Sequence, residues 1–481
     1  MIEAPGYPEV ILADNRSEVR SSGLVVAAGL AVLVIGTLWF GGRAQLLRMA
    51  LPAMAMLVAV VLHARRPILY VQYTLWVWFL TPLLRRIVDW RFEYTDPNFV
   101  LLTPFLVSGV AGLTLLRPDI RPKVRIPVAF VLCGSGILYG FIVGMVVHPS
   151  GETVYGLVNW LCPMLFGLHL YLNWHRYGEY RAAITRTFLW GVLILGIYGI
   201  YQFFLPPAWD TYWLENVQYQ AVNPSFGQAE ALAIRVWSTL NAPGPFANIM
   251  MVGLLLLFVV RAPLKLPAAV AGYFSFLLSG VRTAWLSWVI GFLLILKNVQ
   301  PRVVARVFLS VLLLLVCLLP LLADPRVASV VGDRVKTFTD LGHDESFSGR
   351  LDMYRILAIE AIENPFGHGL GNMTMTRQGI PIDSGFLTAF FSLGWLGTLL
   401  FAIGALSLFL GGPRNLEKGD EFVGASRAIM IAMVAQLVSG NIFTGINGAV
   451  FWMFVGLNLC TSHRLRADQA GSLSEPVLDV V

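Results

Sequence analysis

The run 307-VFLSVLLLLVCLLPLL-322 decides the fold class of this chain, because it contains no charged residue. A helix needs roughly 20 mostly apolar residues to cross a bilayer. Runs of this kind recur along the 481 residues, of which 57% are hydrophobic and only 13% are charged. A membrane β-barrel would instead alternate polar and apolar residues in short segments. Continuous runs therefore predict membrane-spanning helices, whose backbone groups are satisfied internally.

The spacing of these runs predicts an all-α integral membrane protein, a polytopic helical bundle of about fourteen transmembrane helices. The span 384–410 is long enough to tilt in the bilayer or to begin outside it. The predicted spans are 23–40, 49–63, 67–84, 98–116, 126–147, 154–173, 187–206, 244–260, 265–280, 283–296, 307–323, 384–410, 428–440 and 447–461.

The basic residues orient the bundle with both termini in the cytoplasm. In that orientation the cytoplasmic segments hold 21 lysine and arginine residues, against 6 in the five short outer connections. Cytoplasmic loops of membrane proteins carry such an excess. The bias also explains the net charge of +6 and the pI of about 9.2, so nucleic acid is not expected as a partner. No cleavable signal peptide is expected, since a mixed polar stretch precedes the first apolar run.

Two long connections fall on the outer side, where we expect them to form a cap on the bundle. The first is rich in tryptophan, tyrosine and phenylalanine. The predicted organisation is a cytoplasmic tail (1–22), an N-terminal bundle (23–206), a first outer loop (207–243), central helices with an arginine motif (244–323), a second outer loop (324–383), C-terminal helices (384–461) and a cytoplasmic tail (462–481).

The second outer loop contains a predicted amphipathic helix from Ser348 to Glu363. Ser348 is a suitable N-cap. The dipeptide Asn364-Pro365 ends the helix, because a residue before proline disfavours the helical conformation. The apolar stripe at helical spacing consists of Leu351, Tyr354, Leu357, Ala358, Ala361 and Ile362.

Arg282 is the first of three arginines on the predicted outer side that are candidates for phosphate binding. It lies in 279-SGVRTAW-285, between two apolar runs. An ionisable side chain in such a place is a functional hypothesis. The alternative is an interfacial anchor that extends to lipid phosphates.

Arg235 and Arg350 are the other two candidates. Arg235 shortly precedes 241-NAPGPF-246, where the chain re-enters the membrane. Arg350 begins the loop helix, and Tyr354 follows one turn later on the same face. A surface salt bridge is the alternative for each arginine. Guanidinium groups suit bidentate phosphate binding, so three of them on one side of the membrane indicate a phosphorylated ligand.

The turn-rich stretch 365-PFGHGLGN-372 is a further candidate. Its alternating glycines, Gly369 and Gly371 among them, allow the backbone to approach a ligand closely, or they mark a plain connector. His368 is a candidate proton acceptor. A nucleotide-binding loop is excluded, because no strand precedes the glycines. Asp383, which opens the next span, either caps that helix or acts as a general base.

Metal and cofactor chemistry is not expected. The four cysteines lie in apolar runs without metal-ligand or disulfide spacing, so we interpret them as packing residues. The histidines are scattered as well. The predicted spans contain no row of carboxylates such as a proton relay needs, and this argues against a proton-driven pump. The alternative to an enzyme is a transporter or channel in which the arginines select an anion.

Four stretches carry a resemblance to a known family: 348-SGR-350 with its helix, 364-NPFGHGLG-371, 383-DSGFL-387 and 391-FSLGWLG-397. Together they resemble the core of the O-antigen polymerase and ligase-like superfamily. The stretches around Arg235 and Arg282 are similar to that family's two upstream arginine motifs. The likeness covers roughly residues 230–400.

The resemblance implies a bacterial inner-membrane enzyme that transfers glycan from a polyprenyl-diphosphate carrier on the periplasmic side, without a nucleotide sugar or metal. Ligases of the family typically carry histidine followed by asparagine where this chain has Asp383-Ser384. A pattern that begins with aspartate at this place resembles that of the exopolysaccharide polymerases. We therefore expect a lipid-linked glycan polymerase, with O-antigen ligase-type transfer as the alternative. Expected partners are polyprenyl-diphosphate-linked oligosaccharide, membrane lipid, a flippase and chain-length or export proteins.

The predicted site combines the arginines with a base and sugar-binding residues in one outward-facing pocket. Arg235, Arg282 and Arg350 are expected to bind the diphosphate. Asp383 or His368 is expected to take the proton from the attacking sugar hydroxyl. Predicted substrate-binding residues are Tyr354, Trp237, Asn241, Gly369 and Gly371.

Overall fold

The computed structural model of the protein describes residues 44–117, 126–220, 226–297, 345–371, 382, 384–412 and 421–472. These ranges are helical and contain no β-strand. The helices are α1 (Ala44–Arg65), α2 (Pro67–Arg91), α3 (Thr103–Gly109, flanked by 3-10 turns Phe99–Leu102 and Val110–Leu116), α4 (Val128–Val147), α5 (Gly151–Leu172), α6 (Tyr177–Phe204), α7 (Ala208–Gln220), α8 (Pro243–Leu257), α9 (Lys265–Leu278), α10 (Arg282–Lys297), α11 (Glu345–Glu363), α12 (Gly385–Leu410), α13 (Glu421–Val434) and α14 (Gly445–Ser472).

Nine helical segments in these ranges are long and apolar enough to cross a membrane. Three further apolar helices, Pro243–Leu257, Lys265–Leu278 and Arg282–Leu296, are shorter and coincide with three predicted spans. The predicted spans 23–40 and 307–323 lie outside the described residues. The prediction of an all-α, multi-pass membrane protein is confirmed, whereas the count of fourteen spans, the domain boundaries and the cap stay predictions.

The described residues fall into two compact units. The first lies within residues 1–107 and 178–280, and the second within residues 108–177, 281–304 and 328–481. The second unit is built on close helix contacts at glycines. Helices α4 and α12 touch backbone to backbone, since a Cβ on Gly136 would overlap the carbonyl of Gly397. Small residues permit this approach in membrane helices, where van der Waals packing drives association.

Helix α11 is the predicted amphipathic helix, but it begins three residues earlier than expected, at Glu345. Ser348 therefore lies inside the helix, and the prediction that it forms the N-cap is wrong. The end at Glu363 is as predicted. Leu357 is fully buried in a cluster with Leu387 and Phe391 of α12. Tyr354 and Ala361 pack against that cluster, whereas Ala358 and Ile362 of the predicted stripe are exposed.

Candidate functional site

His368 is held at a break in helix α12. Gly394 has φ +63°, which interrupts the helix. In a continuous helix the Trp395 N–H would bond to the carbonyl of Phe391. Here that N–H donates to the carbonyl of Pro365 (2.9 Å), and the freed carbonyl of Phe391 accepts from the His368 N–H (2.7 Å). The loop after α11 therefore satisfies both groups that the break exposes.

The imidazole of His368 is partly buried and oriented by three neighbours. It stacks on the ring of Phe391, with centroids 5.3 Å apart and an interplanar angle of 9°. Its Nε2 lies 3.5 Å from Oε1 of Glu360 and 3.4 Å from Nδ2 of Asn364. A carboxylate beside an imidazole stabilises the protonated ring. The arrangement suits a proton acceptor. Sequence reasoning missed Glu360 as part of this site, although it lies one helical turn before Asn364, at the end of the helix that leads to His368.

The glycines around His368 approach protein backbone. Gly369 (φ +79°) lies against the backbone of Gly144 in α4, and Gly371 (φ +111°) lies against Thr153 in α5. The N–H of Leu370 between them donates to the carbonyl of Gly140 (3.0 Å). The close approach that the sequence indicated is therefore made to two helices, α4 and α5, against which the loop that carries His368 packs.

Tyr354 connects helix α11 to the start of α12. Its hydroxyl lies 2.7 Å from Oγ of Ser384 and 2.8 Å from the carbonyl of Val438. Ser384 is the N-cap of α12, since its Oγ accepts from the Leu387 N–H. The alternative that Asp383 caps this helix is therefore wrong, because the adjacent serine fills that position. Asp383 itself lies outside the described residues.

Arg282 is the first residue of α10 and is partly buried. The N-terminus of a helix presents free N–H groups and a positive dipole end, both of which favour an anion. Arg350 belongs to α11, one turn before Tyr354. Its side chain lies outside what the structure describes.

Arg235 binds the end of helix α9. Its Nε donates to the carbonyl of Ser279 (3.1 Å) and its Nη2 to the carbonyl of Gly280 (3.2 Å). A cation at a helix C-terminus is favourable, because it meets carbonyls that have no partner in the helix. Gly280 precedes Arg282 by two residues in the chain. The observed contacts thus give Arg235 a role in holding the turn that leads to Arg282.

Trp237 and Asn241 occupy different environments. Trp237 is fully buried against Trp213 and Phe226, so its ring packs the interior of the first unit and offers no face to a sugar. Asn241 lines a pocket, and its Oδ1 is buried without a hydrogen-bond partner among the described residues. Of this pair, only Asn241 is partly exposed and lines a pocket.

A buried ion pair that sequence reasoning missed holds the first long loop. Nε of Arg86 lies 2.8 Å from Oδ1 of Asp210, and both side chains are fully buried. Arg86 also donates to the carbonyls of Ser238 and Leu240. Nε2 of Gln202 donates to Oδ2 of Asp210 at 2.6 Å. The available signal was the pair Arg85-Arg86 on the side of the membrane that the charge bias leaves poor in basic residues.

No group of three or more His, Cys, Asp or Glu side chains in the described part of the chain is placed to hold a metal ion. That metals and cofactors take no part stays a prediction.

The fold is that of a multi-pass, all-α membrane protein. Residues 267–402 match the family model of the O-antigen ligases, so the resemblance to the O-antigen ligase-like superfamily is confirmed for this segment. The match includes Arg282, Arg350, His368 and Asp383, and it excludes Arg235. It points to enzymatic glycan assembly from a lipid-linked substrate. No curated protein matches the chain.

Proposed function

We propose that this protein polymerises polyprenyl-diphosphate-linked oligosaccharide repeat units into a surface or extracellular polysaccharide. The observation that carries the proposal is the family match over residues 267–402, because it contains the oriented His368 and two of the three candidate arginines. The reaction is placed on the periplasmic face of a bacterial inner membrane, in keeping with the charge bias of the sequence.

The proposed reaction is a direct displacement. A hydroxyl oxygen of the acceptor sugar attacks the anomeric carbon of the donor, and the bond from that carbon to the diphosphate oxygen breaks. The hydroxyl proton passes to His368 or Asp383. Glu360, 3.5 Å from the imidazole, supports His368 because it stabilises the charge that the ring acquires.

The arginines are proposed to stabilise the departing diphosphate. Negative charge develops on that group as the bond breaks, and preorganised donors lower the barrier there. Arg282 at the start of α10 and Arg350 in α11 are the principal candidates. Arg235 contributes by fixing the turn before Arg282, as its bonds to Ser279 and Gly280 support.

Two other functions make different products. O-antigen ligase-type transfer would move one glycan to a lipid or protein acceptor, and Asp383-Ser384 in place of histidine-asparagine argues against it. An anion transporter or channel would move an ion and make no product. Purified protein supplied with lipid-linked oligosaccharide separates these functions. Polymerisation yields a ladder of products and free polyprenyl diphosphate, ligation needs a second acceptor, and an anion flux without either product would overturn the proposal.

The identity of the base is tested by paired substitutions that preserve size. His368→Gln and Asp383→Asn each remove one candidate base. The substitution that removes the true base should lower the rate of ladder formation by about 10²–10⁴-fold. Because Ser384 caps α12, Asp383→Asn leaves the cap in place. Protein yield and elution profile serve as controls for folding. Full activity in both variants would contradict a role for either residue as base.

A further inference from the structure

A pocket of about 380 Å³ lies in the first unit, among residues that take no part in the proposed displacement reaction. Its volume is within the range of small-molecule sites, about 300–1,000 Å³. We name it the aromatic pocket. It is lined by Arg85, Tyr94, Asp96, Trp213, Phe226 and Asn241.

The walls of the aromatic pocket combine rings with unpaired polar atoms. Tyr94 and Phe226, both partly exposed, provide aromatic surface, on which the C–H face of a sugar can pack. Trp213 is only 2% exposed, and its Nε1 has no hydrogen-bond acceptor among the described residues. Oδ1 of Asn241 likewise has no donor. A buried donor and a buried acceptor left unpaired are costly, and a ligand hydroxyl can satisfy both kinds of atom.

The charges at the aromatic pocket balance one another. Arg85 lies 2.9 Å from Asp89 and 3.9 Å from Asp96, and Arg48 lies 3.4 Å from Asp89. Of these residues only Arg85 and Asp96 line the pocket, so its wall carries one cation and one anion, and Asp89 and Arg48 behind it add one charge of each sign. A diphosphate needs an excess of positive charge, whereas a neutral, hydroxyl-rich ligand does not. Burial raises the pKa of Tyr94, so its phenol stays protonated at neutral pH and remains uncharged.

The ion pair of Arg86 fixes two walls of the aromatic pocket. Asp210, its partner, lies one turn before Trp213 in α7. Leu240, whose carbonyl accepts from Arg86, directly precedes Asn241. The pocket is thus preformed, which limits the ordering that a ligand must undergo on binding.

From these observations we propose that the aromatic pocket binds one neutral sugar residue of the glycan substrate, with its hydroxyls bonded to Trp213 and Asn241 and its face on the rings of Tyr94 and Phe226. This inference rests on the proposed function for the identity of the ligand as glycan. It assigns to the first unit the recognition of sugar, apart from the diphosphate chemistry proposed for Arg282 and Arg350.

The test is direct binding to the full-length protein in a detergent without a sugar headgroup, since maltoside headgroups would compete. Glucose, galactose, mannose, rhamnose and N-acetylglucosamine are offered singly up to 100 mM and followed by saturation-transfer NMR. We expect at least one to bind. Trp213→Phe keeps the ring and loses the N–H, and Asn241→Leu loses the acceptor. Each should weaken binding about fivefold or more, as expected for one lost hydrogen bond.

The matched control is Trp90→Phe, because Trp90 is 47% exposed and does not line the pocket. It should bind as the wild type does, and inorganic pyrophosphate should not displace the sugar. Absence of binding by every sugar, equal binding by all three variants, or displacement by pyrophosphate would overturn the inference. Binding without ladder formation would contradict the proposed polymerase and leave the pocket supported. Ladder formation without sugar binding would support the proposed polymerase and overturn the inference about the pocket.

Discussion

Arg86 and Arg91 lie five residues apart in α2 and differ completely in environment. Arg86 is fully buried beside Asp210, whereas Arg91 is exposed at the end of the helix. A buried charge is tolerated only when it is paired and hydrogen-bonded. Arg86 meets both conditions through one carboxylate and two carbonyls. It is therefore a structural residue, while Arg91 is available as a control for charge effects.

Removing one partner of the buried pair should destabilise the protein strongly. Asp210→Ala leaves Arg86 buried without its counter-charge, which costs about 3–5 kcal/mol. Asp96→Ala removes an exposed partner of Arg85 at 3.9 Å, a pair worth about 0–1 kcal/mol. Thermal unfolding in detergent should show a large loss for Asp210→Ala and a small one for Asp96→Ala. Equal losses would contradict the stabilising role of the buried pair.

The arginines proposed to bind diphosphate should not tolerate lysine. Lysine supplies a point charge without the forked donors of guanidinium. Arg282→Lys and Arg350→Lys should therefore each lose most ladder formation in the purified system while the protein inserts normally. Arg91→Lys is the matched control and should retain activity. Undiminished activity in Arg282→Lys would favour the anchor interpretation, because a lysine extends to lipid phosphates as well as an arginine does.

Sequence reasoning identified residues by type and missed their partners. Arg282 and His368 could be singled out because an arginine between apolar runs and a histidine among glycines are unusual. The pairing of Arg86 with Asp210 could not, since the two lie in different segments and only the folded chain joins them. Asp383 and Ser384 are both good N-caps, and only the backbone shows that the serine holds that position.

At the scale of elements, the break in α12 is the feature that positions the candidate base. The loop between α11 and α12 inserts there and replaces the hydrogen bond between Phe391 and Trp395 with two of its own. Gly394 makes this possible, because its φ of +63° is unfavourable for residues with a Cβ. The geometry of His368 thus depends on one backbone position.

Gly394→Ala should therefore displace the His368 loop. An added Cβ would overlap the carbonyl of Phe366, and the backbone conformation itself, φ +63° with ψ −175°, costs roughly 1–3 kcal/mol for a residue other than glycine. Gly424→Ala is the matched control, since nothing lies within 4 Å of its Cβ position and alanine favours a helix. Ladder formation and thermal stability should fall only in Gly394→Ala. An unchanged Gly394→Ala variant would show that the loop adapts without cost.

Apolar runs predicted most helices well and their interruptions poorly. The stretch 384–410 was correctly predicted as one long helical segment, but the sequence alone does not show that the chain turns at Gly394. The short helix α7 in the first long loop was missed because its apolar residues are mostly aromatic and lack a clear helical stripe. The C-terminal end of α11 was predictable, because proline stops a helix at a defined residue.

For the whole molecule, the predicted topology places both long connections on one side of the membrane and both termini on the other. In a variant without native cysteines, single cysteines at Glu230 and Glu363 should react with an impermeant thiol reagent in intact cells. Cysteines at Gly178 and Glu421 should react only after permeabilisation. All four positions are exposed in the structure, so accessibility depends on the membrane alone. Protection of Glu230 or Glu363 would contradict the orientation.

The pair formed by Arg86 also constrains how the protein can be made. Leu240, which completes the set of partners, follows Arg86 by 154 residues. At about 5–20 residues per second, a ribosome takes roughly 8–30 s to synthesise that stretch. Until Asp210 has been made, which takes most of this interval, the Arg86 side chain has no counter-charge, and an unpaired arginine is unfavourable in hydrocarbon. We therefore expect the end of α2 to stay in contact with water or with the insertion machinery until the first long loop has emerged, so that this region reaches its final packing only after about half of the chain has been made.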